Sequence, residues 1–371
     1  MTSMRRNKAI RGVVGARGAR GFSLIELMIS LILGLLVVAA AGGLFLSNQR
    51  IYASTETLNR IQENSRVSFE IMSRDLREAG GIPCGASATI VNLLTSRNTA
   101  WWTQFDNGML GYEGNVAAPG TTTGTAAAQR VTGTDAVDVQ LANENQASVT
   151  QQLLPVNAIT MGSVTGFAAN DIVVACNTSR AYIFQISGIS GNDLQHATGG
   201  SAPGNCVSWL VPDEPAGCTT TPTTGSCLLV PTGTAPDVKC VPSSDAPALV
   251  AKVVTVRWYV GNNARGGRSL YRVRLTSTDA TGTPSQLEQP VEVAEGVNNM
   301  QLQYRSNGST AYVDAGTGVA NWRQVNAVRL TLTVDGTAGG MTGRNIQGTD
   351  GNVLTRQLTH VVAVRNREGV L

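Results

Sequence analysis

The sequence predicts an α+β fold in which a long N-terminal helix, membrane-spanning in its first half, packs on a C-terminal antiparallel β-rich head. Three observations predict it. Residues 22–46 are apolar with a single charge at Glu26, and no proline occurs between Phe22 and Gly81. Beyond residue 80, short apolar segments alternate with polar loops that are rich in glycine. The first two observations indicate one continuous helix, and the third indicates strands joined by turns.

The N-terminal residues 1–21 form a basic leader. Six positive residues and no acid occur in it, namely Arg5, Arg6, Lys8, Arg11, Arg17 and Arg20. The positive-inside rule predicts that this leader stays in the cytoplasm. A helix over residues 22–46 would span about 37 Å, which is enough to cross a bilayer with some tilt. Because a carboxylate inside a membrane is costly, we expect Glu26 to have a partner.

Residues 47–79 are predicted to continue the same helix into water as an amphipathic segment. Its apolar stripe has Ser65 and Phe69 beside it and consists of Leu58, Ile61, Met72 and Leu76. The pair Gly80-Gly81, followed by Pro83, predicts where the helix ends. A polar helix of this length is not stable alone, so we expect the stripe to pack on the head as ordinary core.

The head is expected to comprise a variable β-rich region at 80–249 and a more regular antiparallel sheet at 250–371. Strands are predicted at 136–141, 171–176, 181–187, 291–293, 300–304, 325–334 and 358–364. A hairpin with a glycine-rich connection is predicted from 253–260 and 270–275. The strand at 325–334 alternates cleanly and should place one apolar face on a core. The loops 117–134 and 214–236 are either solvated connections or contact surface, and the first interpretation is favoured.

Five arginines form the one concentration of charge, and no acid stands between them in sequence: Arg257, Arg265, Arg268, Arg272 and Arg274. Two interpretations remain open. The favoured one is a solvated hairpin edge that discourages edge-to-edge aggregation. The other is a docking patch for an acidic face of a neighbouring subunit.

Six cysteines all follow the apolar segment: Cys84, Cys176, Cys206, Cys218, Cys227 and Cys240. An exported location is oxidising, so disulfides are expected, and sequence proximity favours pairing within the last four. No CxxC occurs and the two histidines, His196 and His360, are far apart, so no metal site is predicted. The motifs of common hydrolases, nucleotide-binding enzymes and metalloproteases are absent, and we predict neither an enzyme nor a cofactor.

The charge balance argues against a nucleic-acid partner. The chain has 28 Lys and Arg against 25 Asp and Glu, and without the six positive residues of the leader the count is 22 against 25. A protein that neutralises many phosphates needs a basic surface, which this remainder lacks.

The junction GFSLIELM at residues 21–28 resembles the type IV prepilin cleavage site. The resemblance implies that prepilin peptidase cuts between Gly21 and Phe22, that Phe22 is then N-methylated, and that Glu26 faces the terminal amine of a neighbouring subunit. Two other interpretations of the N-terminus were weighed. A conventional signal peptide would be cut near Ala39-Ala40-Ala41, and a plain single-pass anchor would not be cut at all. Neither gives Glu26 a purpose, so the prepilin interpretation is preferred.

The C-terminal third resembles the PilW family of minor pilins. The resemblance rests on VRWYVGNN…RSLYRVRL, VEVAEGVNNMQLQY, VNAVRLTLTV and the closing VRNRE, and on the helix end IMSRDLREAGGIPCG. It covers roughly residues 15–85 and 250–371. It implies a pilin-like fold and membership of an initiation complex at the pilus tip, with the other minor pilins, the major pilin, a tip adhesin and the inner-membrane assembly platform as partners. The protein would first sit in the inner membrane with a periplasmic head and later in the fibre.

Two alternative functions stay open at this point. A minor pseudopilin of type II secretion would share the same leader and helix, since its family is similar to PilW. A membrane-anchored exported binding protein, for example for DNA uptake, would also need an anchor and a head. That second alternative requires a basic or aromatic stripe on the head, which the sequence does not show.

Overall fold

A computed structural model describes residues 21–85, 88–95, 97, 101–105, 107–154, 157–199, 203–215, 217–218, 225–234, 238–243, 247–275, 289–336 and 351–367. The predicted leader lies outside the described residues except for Gly21. The chain divides into two compact units, Met1–Thr55 and Glu56–Leu371. A long N-terminal apolar helix followed by a β-rich region confirms the predicted fold class.

Helix α1 runs without interruption over Leu24–Arg77 and has 54 residues. Within the first unit its side chains are exposed, from the helix start to Ala53. This helix is long and apolar enough to cross a membrane. Exposed apolar surface on this scale is not stable in water, so the first part of α1 requires lipid or other helices around it.

Within the second unit α1 has one buried face. Ile61, Met72 and Leu76 are at most 2% exposed, as the predicted stripe requires. Leu58 was assigned to the same stripe, and this was wrong, because its exposed fraction is 44%. Leu58 lies near the start of this buried face. Of the residues next to it in sequence, only Thr57 is buried. The stripe therefore begins at Ile61 and continues to the end of the helix.

A 13-stranded sheet forms most of the head. Its strands are β1 Thr89–Asn92, β2 Met109–Tyr112, β3 Ala136–Leu154, β4 Ala158–Met161, β5 Ile172–Cys176, β6 Arg180–Gln185, β7 Gly188–Ser190, β8 Asp193–Gln195, β9 Val230–Thr232, β10 Val238–Val241, β11 Leu249–Asn262, β12 Arg268–Leu275 and β13 Val291–Glu295. The main order is β1-β6-β5-β11-β3-β4-β8-β7. The ladders are antiparallel apart from the parallel pair β1–β6.

Strands β3 and β11 organise this sheet because each pairs with several others. Strand β3 extends 13 residues beyond the predicted segment 136–141 and pairs successively with β11, β4 and β10. The polar run Asn143–Ser148 in its middle carries no apolar alternation, so the pattern gave no indication of a strand there. The predicted hairpin is present as β11 and β12, paired from Thr255↔Leu275 to Asn262↔Arg268.

A second, three-stranded antiparallel sheet has the order β14-β15-β16. Its strands are β14 Val297–Ser306, β15 Val325–Asp335 and β16 Thr355–Ala363. The predicted alternation in β15 is confirmed, because Val328, Leu330, Leu332 and Val334 are at most 1% exposed. These four side chains belong to one core cluster with Met72 and Leu76 of α1. The apolar face of β15 thus shares a core with the buried stripe of the helix.

Four short 3-10 helices complete the described structure: Trp101–Thr103, Gly316–Gly318, Trp322–Gln324 and Arg365–Arg367. The segment 117–134, for which a solvated loop was favoured, contains no named strand, yet Arg130 in it is 1% exposed. The Arg130 guanidinium donates to the carbonyl oxygens of Val116, Glu113 and Thr134. The loop therefore folds around the buried Arg130 guanidinium and is not solvated along its whole length.

Candidate assembly site

The N-terminal junction is exposed and precedes the helix. Gly21, Phe22 and Ser23 precede the helix, and the first helical hydrogen bond runs from the Leu27 N–H to the Ser23 carbonyl oxygen at 3.1 Å. The Phe22 side chain is 83% exposed, and no atom lies within 4 Å of the position a Cβ would take at Gly21. The bond between Gly21 and Phe22 is thus accessible to a peptidase that needs to grip extended backbone.

Glu26 lies in the first turn of α1. A carboxylate there is favoured by the positive end of the helix dipole. If the chain is cut before Phe22, the new amine is one helical turn from Glu26 in sequence. A buried ammonium and a buried carboxylate are each costly alone and become tolerable when paired. The junction can therefore supply both members of an ion pair between neighbouring helices.

Asp75 is a buried acid on the helix that the sequence pattern does not single out. Its Oδ2 accepts a hydrogen bond from Nε1 of Trp258 at 2.9 Å and one from Nε of Arg272 at 3.1 Å. Burial raises the pKa of Asp75 above its ordinary value, and the nearby Arg272 opposes that rise. The sequence offers one indication that Asp75 is buried: it follows Met72 by three residues, a spacing that places both on the same face of the helix. Asp75 connects α1 with strands β11 and β12.

The structure separates the five arginines that the sequence grouped. Arg257 is 0% exposed and was therefore wrongly included in a surface patch. Its Nε and Nη2 donate to Asp138 at 2.5 and 2.6 Å, and its guanidinium lies 4.0 Å from the ring centroid of Trp101. Tyr112 donates to the same carboxylate at 2.9 Å. Arg257 belongs to a buried, paired cluster that fixes β11 against β3.

The other four arginines lie nearer the surface. Arg265 contacts Glu292 and Glu295, and Arg268 donates to the side chain of Asn298 at 2.7 Å. Arg272 reaches Asp75, as described above, and Arg274 is half-buried on β12. The acids that balance this group come from α1, β3 and β13, so they could not be found between the arginines in sequence. A docking role is left open for Arg265, Arg268 and Arg274.

Asp135 is a second buried acid that sequence reasoning missed. Its Oδ2 accepts a hydrogen bond from the Leu302 N–H at 2.7 Å, and the residue is 3% exposed. Burial raises the pKa of Asp135 to about 7, although the Leu302 N–H opposes the rise, and the nearby Glu113 adds to it. Asp135 lies just before β3, so this hydrogen bond ties the large sheet to β14.

The six cysteines form three disulfides: Cys84–Cys176, Cys206–Cys218 and Cys227–Cys240. The last four pair among themselves, which is the arrangement that sequence proximity favours. The first bridge closes 92 residues and ties the segment after α1 to β5. Such crosslinks fit an oxidising, exported environment.

Each of the two histidines packs against a phenylalanine ring. His196 is 1% exposed beside Phe184, and burial lowers its pKa to about 4, so it is neutral at physiological pH. His360 is exposed on β16 with its ring 3.9 Å from that of Phe69. Within the described residues, no group of three His, Cys, Asp or Glu side chains is placed to hold a metal ion.

Comparison with protein families gives two matches. Residues 257–366 match the family described as Type IV Pilus-assembly protein W, and residues 16–42 match the Prokaryotic N-terminal methylation motif. The first match covers β11 from Arg257 through β16, and the second covers the junction and the start of α1. Comparison with curated proteins and with solved structures gave no match. Pilins and PilW proteins are structural assembly proteins rather than enzymes.

Proposed function

We propose that this chain, a PilW-like type IV pilin by these two matches, is a minor pilin of the complex that primes pilus assembly and remains at the fibre tip. The observation that carries the proposal is the continuity of α1. One unbroken helix begins at Leu24, directly after the Gly21-Phe22 junction, exposes an apolar surface through Leu46, and has a buried face toward its end. Such a helix can pass from lipid into the packed interior of a filament while its head stays outside.

The mechanism follows from the exposed part of α1. In the inner membrane its apolar side chains contact lipid, and in a fibre they would contact the helices of neighbouring subunits. Since lipid and helix surfaces are similarly apolar, packing and ion pairing must supply the selectivity of the transfer. Glu26 and the amine of Phe22 supply such a pair, with the leader removed by prepilin peptidase beforehand. The head then determines which subunits lie next to it.

The size of the head supports a place at the tip. Among the described residues, sixteen strands in two sheets follow the helix, and three disulfides crosslink the part of the head before β11. A subunit within a helical fibre must leave room for subunits above and below it, whereas a subunit at the tip has no neighbour above. A large head is accommodated most easily in that position.

The test combines processing with phenotype. We expect mass spectrometry of the purified protein to find N-methyl-Phe22 as the first residue, and Gly21→Val to retain the leader because a branched side chain crowds the peptidase cleft. A mature start near Gly42 would instead identify a conventional signal peptide.

Deletion of the gene separates the remaining alternatives. We expect loss of surface pili with protein secretion intact. Loss of secretion with pili intact would identify a type II pseudopilus subunit. Normal pili and normal secretion, with loss only of DNA uptake, would identify an anchored binding protein.

A further inference from the structure

Strand β16 forms an open edge of the three-stranded sheet. Among the described residues it pairs with β15 alone, over nine consecutive positions and without a register shift. Natural sheets protect such edges with proline, bulges, short strands or a covering element, because a free edge pairs readily with another chain. Strand β16 contains no proline and no bulge, and eight of its nine residues are exposed or half-buried.

The hydrogen bonds at both ends of the strand show which backbone groups have no ladder partner among the described residues. The Val364 N–H donates to the Asn326 carbonyl oxygen at 2.9 Å, and the Gly336 N–H donates to Leu354 at 2.6 Å. Alternate residues of an antiparallel ladder face the partner strand. The even-numbered residues of β16 therefore bond to β15, whereas Gln357, Thr359 and Val361 direct their N–H and C=O groups outward.

A groove runs beside this edge between β16 and the last turns of α1. Its volume is about 580 Å³, and Phe69, Leu358 and Val362 supply apolar lining. Three arginines also line it, namely Arg66, Arg77 and Arg356, and the one acid in its lining is Glu70. None of the three arginines forms an ion pair with a described residue. The groove thus combines apolar contact surface with an excess of positive charge.

We propose that the β16 edge receives an added β-strand from another pilus subunit, and that acidic side chains of this strand enter the groove. Main-chain hydrogen bonds to Gln357, Thr359 and Val361 would supply affinity, and the arginines would select the sequence. A second copy of this chain fits poorly, since its own β16 would bring Arg356 and the same positive groove against this one. The partner is therefore a different subunit, and in this respect the inference rests on the proposed function.

Hydrogen exchange tests the edge directly. The full chain in detergent is compared with its complex with the other pilin-type subunits of the same cell, co-purified in that detergent. We expect the amides of Gln357, Thr359 and Val361 to exchange about tenfold more slowly in the complex. The amides of Leu358 and His360 serve as internal controls, because β15 already protects them. A complex that forms without protecting the three edge amides overturns the edge proposal alone, and failure of any complex to form overturns the proposed function with it.

Charge reversal tests the groove. Arg356→Glu should weaken co-purification with those subunits about tenfold, since it places a carboxylate where the acidic strand lies. Arg365→Glu is the matched control, because Arg365 is an exposed arginine of the same C-terminal segment outside the groove lining. Both variants should keep the parent melting temperature. Equal co-purification of the two variants overturns the assignment of the groove.

A peptide probe tests which side-chain charge the groove prefers and whether binding requires backbone hydrogen bonds. A ten-residue peptide alternating valine with glutamate should bind the full chain at least about tenfold more tightly than its valine–lysine counterpart. The glutamate peptide N-methylated at three consecutive central residues cannot form a strand ladder and should not bind. Equal binding of the glutamate and lysine peptides, or binding of the methylated one, overturns the proposal.

Discussion

The carboxylate of Asp75 accepts the indole N–H of Trp258 at 2.9 Å, although 183 residues separate the two in sequence. Both residues are buried, at 5% and 0% exposed. The bond joins α1 to β11, a strand inside the large sheet of the head. The contact between helix and sheet is therefore a short, charge-assisted hydrogen bond.

Removal of this contact should show coupling between the two residues. We expect Trp258→Phe to lower the free energy of unfolding by about 1–3 kcal/mol, because the buried carboxylate loses a donor. In an Asp75→Asn background the same change should cost less, since no buried charge is left under-bonded. A double-mutant cycle on the full chain in detergent, followed by tryptophan fluorescence in urea, gives the coupling. Strict additivity would show that the charge of Asp75 adds nothing to the strength of this hydrogen bond.

The buried stripe of α1 offers a matched pair of leucines. Leu76→Ala should lower the free energy of unfolding by about 2–5 kcal/mol, because Leu76 is completely enclosed. Leu58→Ala, on the same helix but 44% exposed, should cost much less. Thermal unfolding of both variants measures the difference. Equal melting temperatures would place Leu76 at the surface.

Local pattern was sufficient for the parts of the fold that repeat in sequence. The apolar run, with Glu26 as its single charge, and the absence of proline predicted α1, and strict alternation predicted the buried face of β15. The pattern failed for β3, whose middle is polar, and for Leu58, whose environment depends on where the head begins. Periodicity records which face is apolar but not how far another element covers it.

The buried polar groups could not be predicted because their partners are distant in sequence. Arg257 pairs with Asp138 across a sequence separation of 119 residues. Asp135 accepts the Leu302 N–H across a separation of 167 residues. Only the folded sheet brings these groups together. The junction at Gly21, Phe22 and Glu26 is the opposite case, because the methylation motif that residues 16–42 match is a local sequence and is recognisable without the fold.

The two best-paired arginines should differ sharply in their effect on stability. Arg257→Ala is expected to cost about 3–5 kcal/mol, because it leaves the Asp138 carboxylate buried without its cation. Arg265→Ala is expected to cost at most about 1 kcal/mol, because its pairs with Glu292 and Glu295 are solvated. Chemical denaturation of the two variants makes the comparison. A large loss for Arg265→Ala would show that this surface pair is rigidly held.

Asp135 should make the head less stable as the pH rises. Its pKa is raised from an unfolded value near 3.8 to about 7, so the folded state binds the proton more tightly. Stability from this group is therefore complete below pH 3.8 and is lost as the pH rises to about 7. Asp135→Asn keeps an oxygen acceptor for the Leu302 N–H and removes the charge.

We expect Asp135→Asn to be more stable than the parent by about 2–4 kcal/mol at pH 8, with little difference at pH 4. Melting temperatures measured across this range test the expectation. A constant difference between the two proteins at every pH would mean that Asp135 does not titrate in the window. The same measurement on Asp335→Asn gives a comparison, because Asp335 at the end of β15 is only half-buried and burial raises its pKa as well.

Glu26 should matter for assembly rather than for processing or folding. Its side chain is exposed in the isolated chain, so Glu26→Ala should leave head stability and cleavage after Gly21 unchanged. In a fibre the amine of Phe22 would then lie in an apolar core without its carboxylate, which costs several kcal/mol. We expect normal processing and poor incorporation into pili, measured by immunoblotting of sheared fibres. Glu26→Asp is the control that retains the charge, and it should recover part of the incorporation. Full piliation by the alanine variant in a clean deletion background would show that the fibre does not depend on this ion pair.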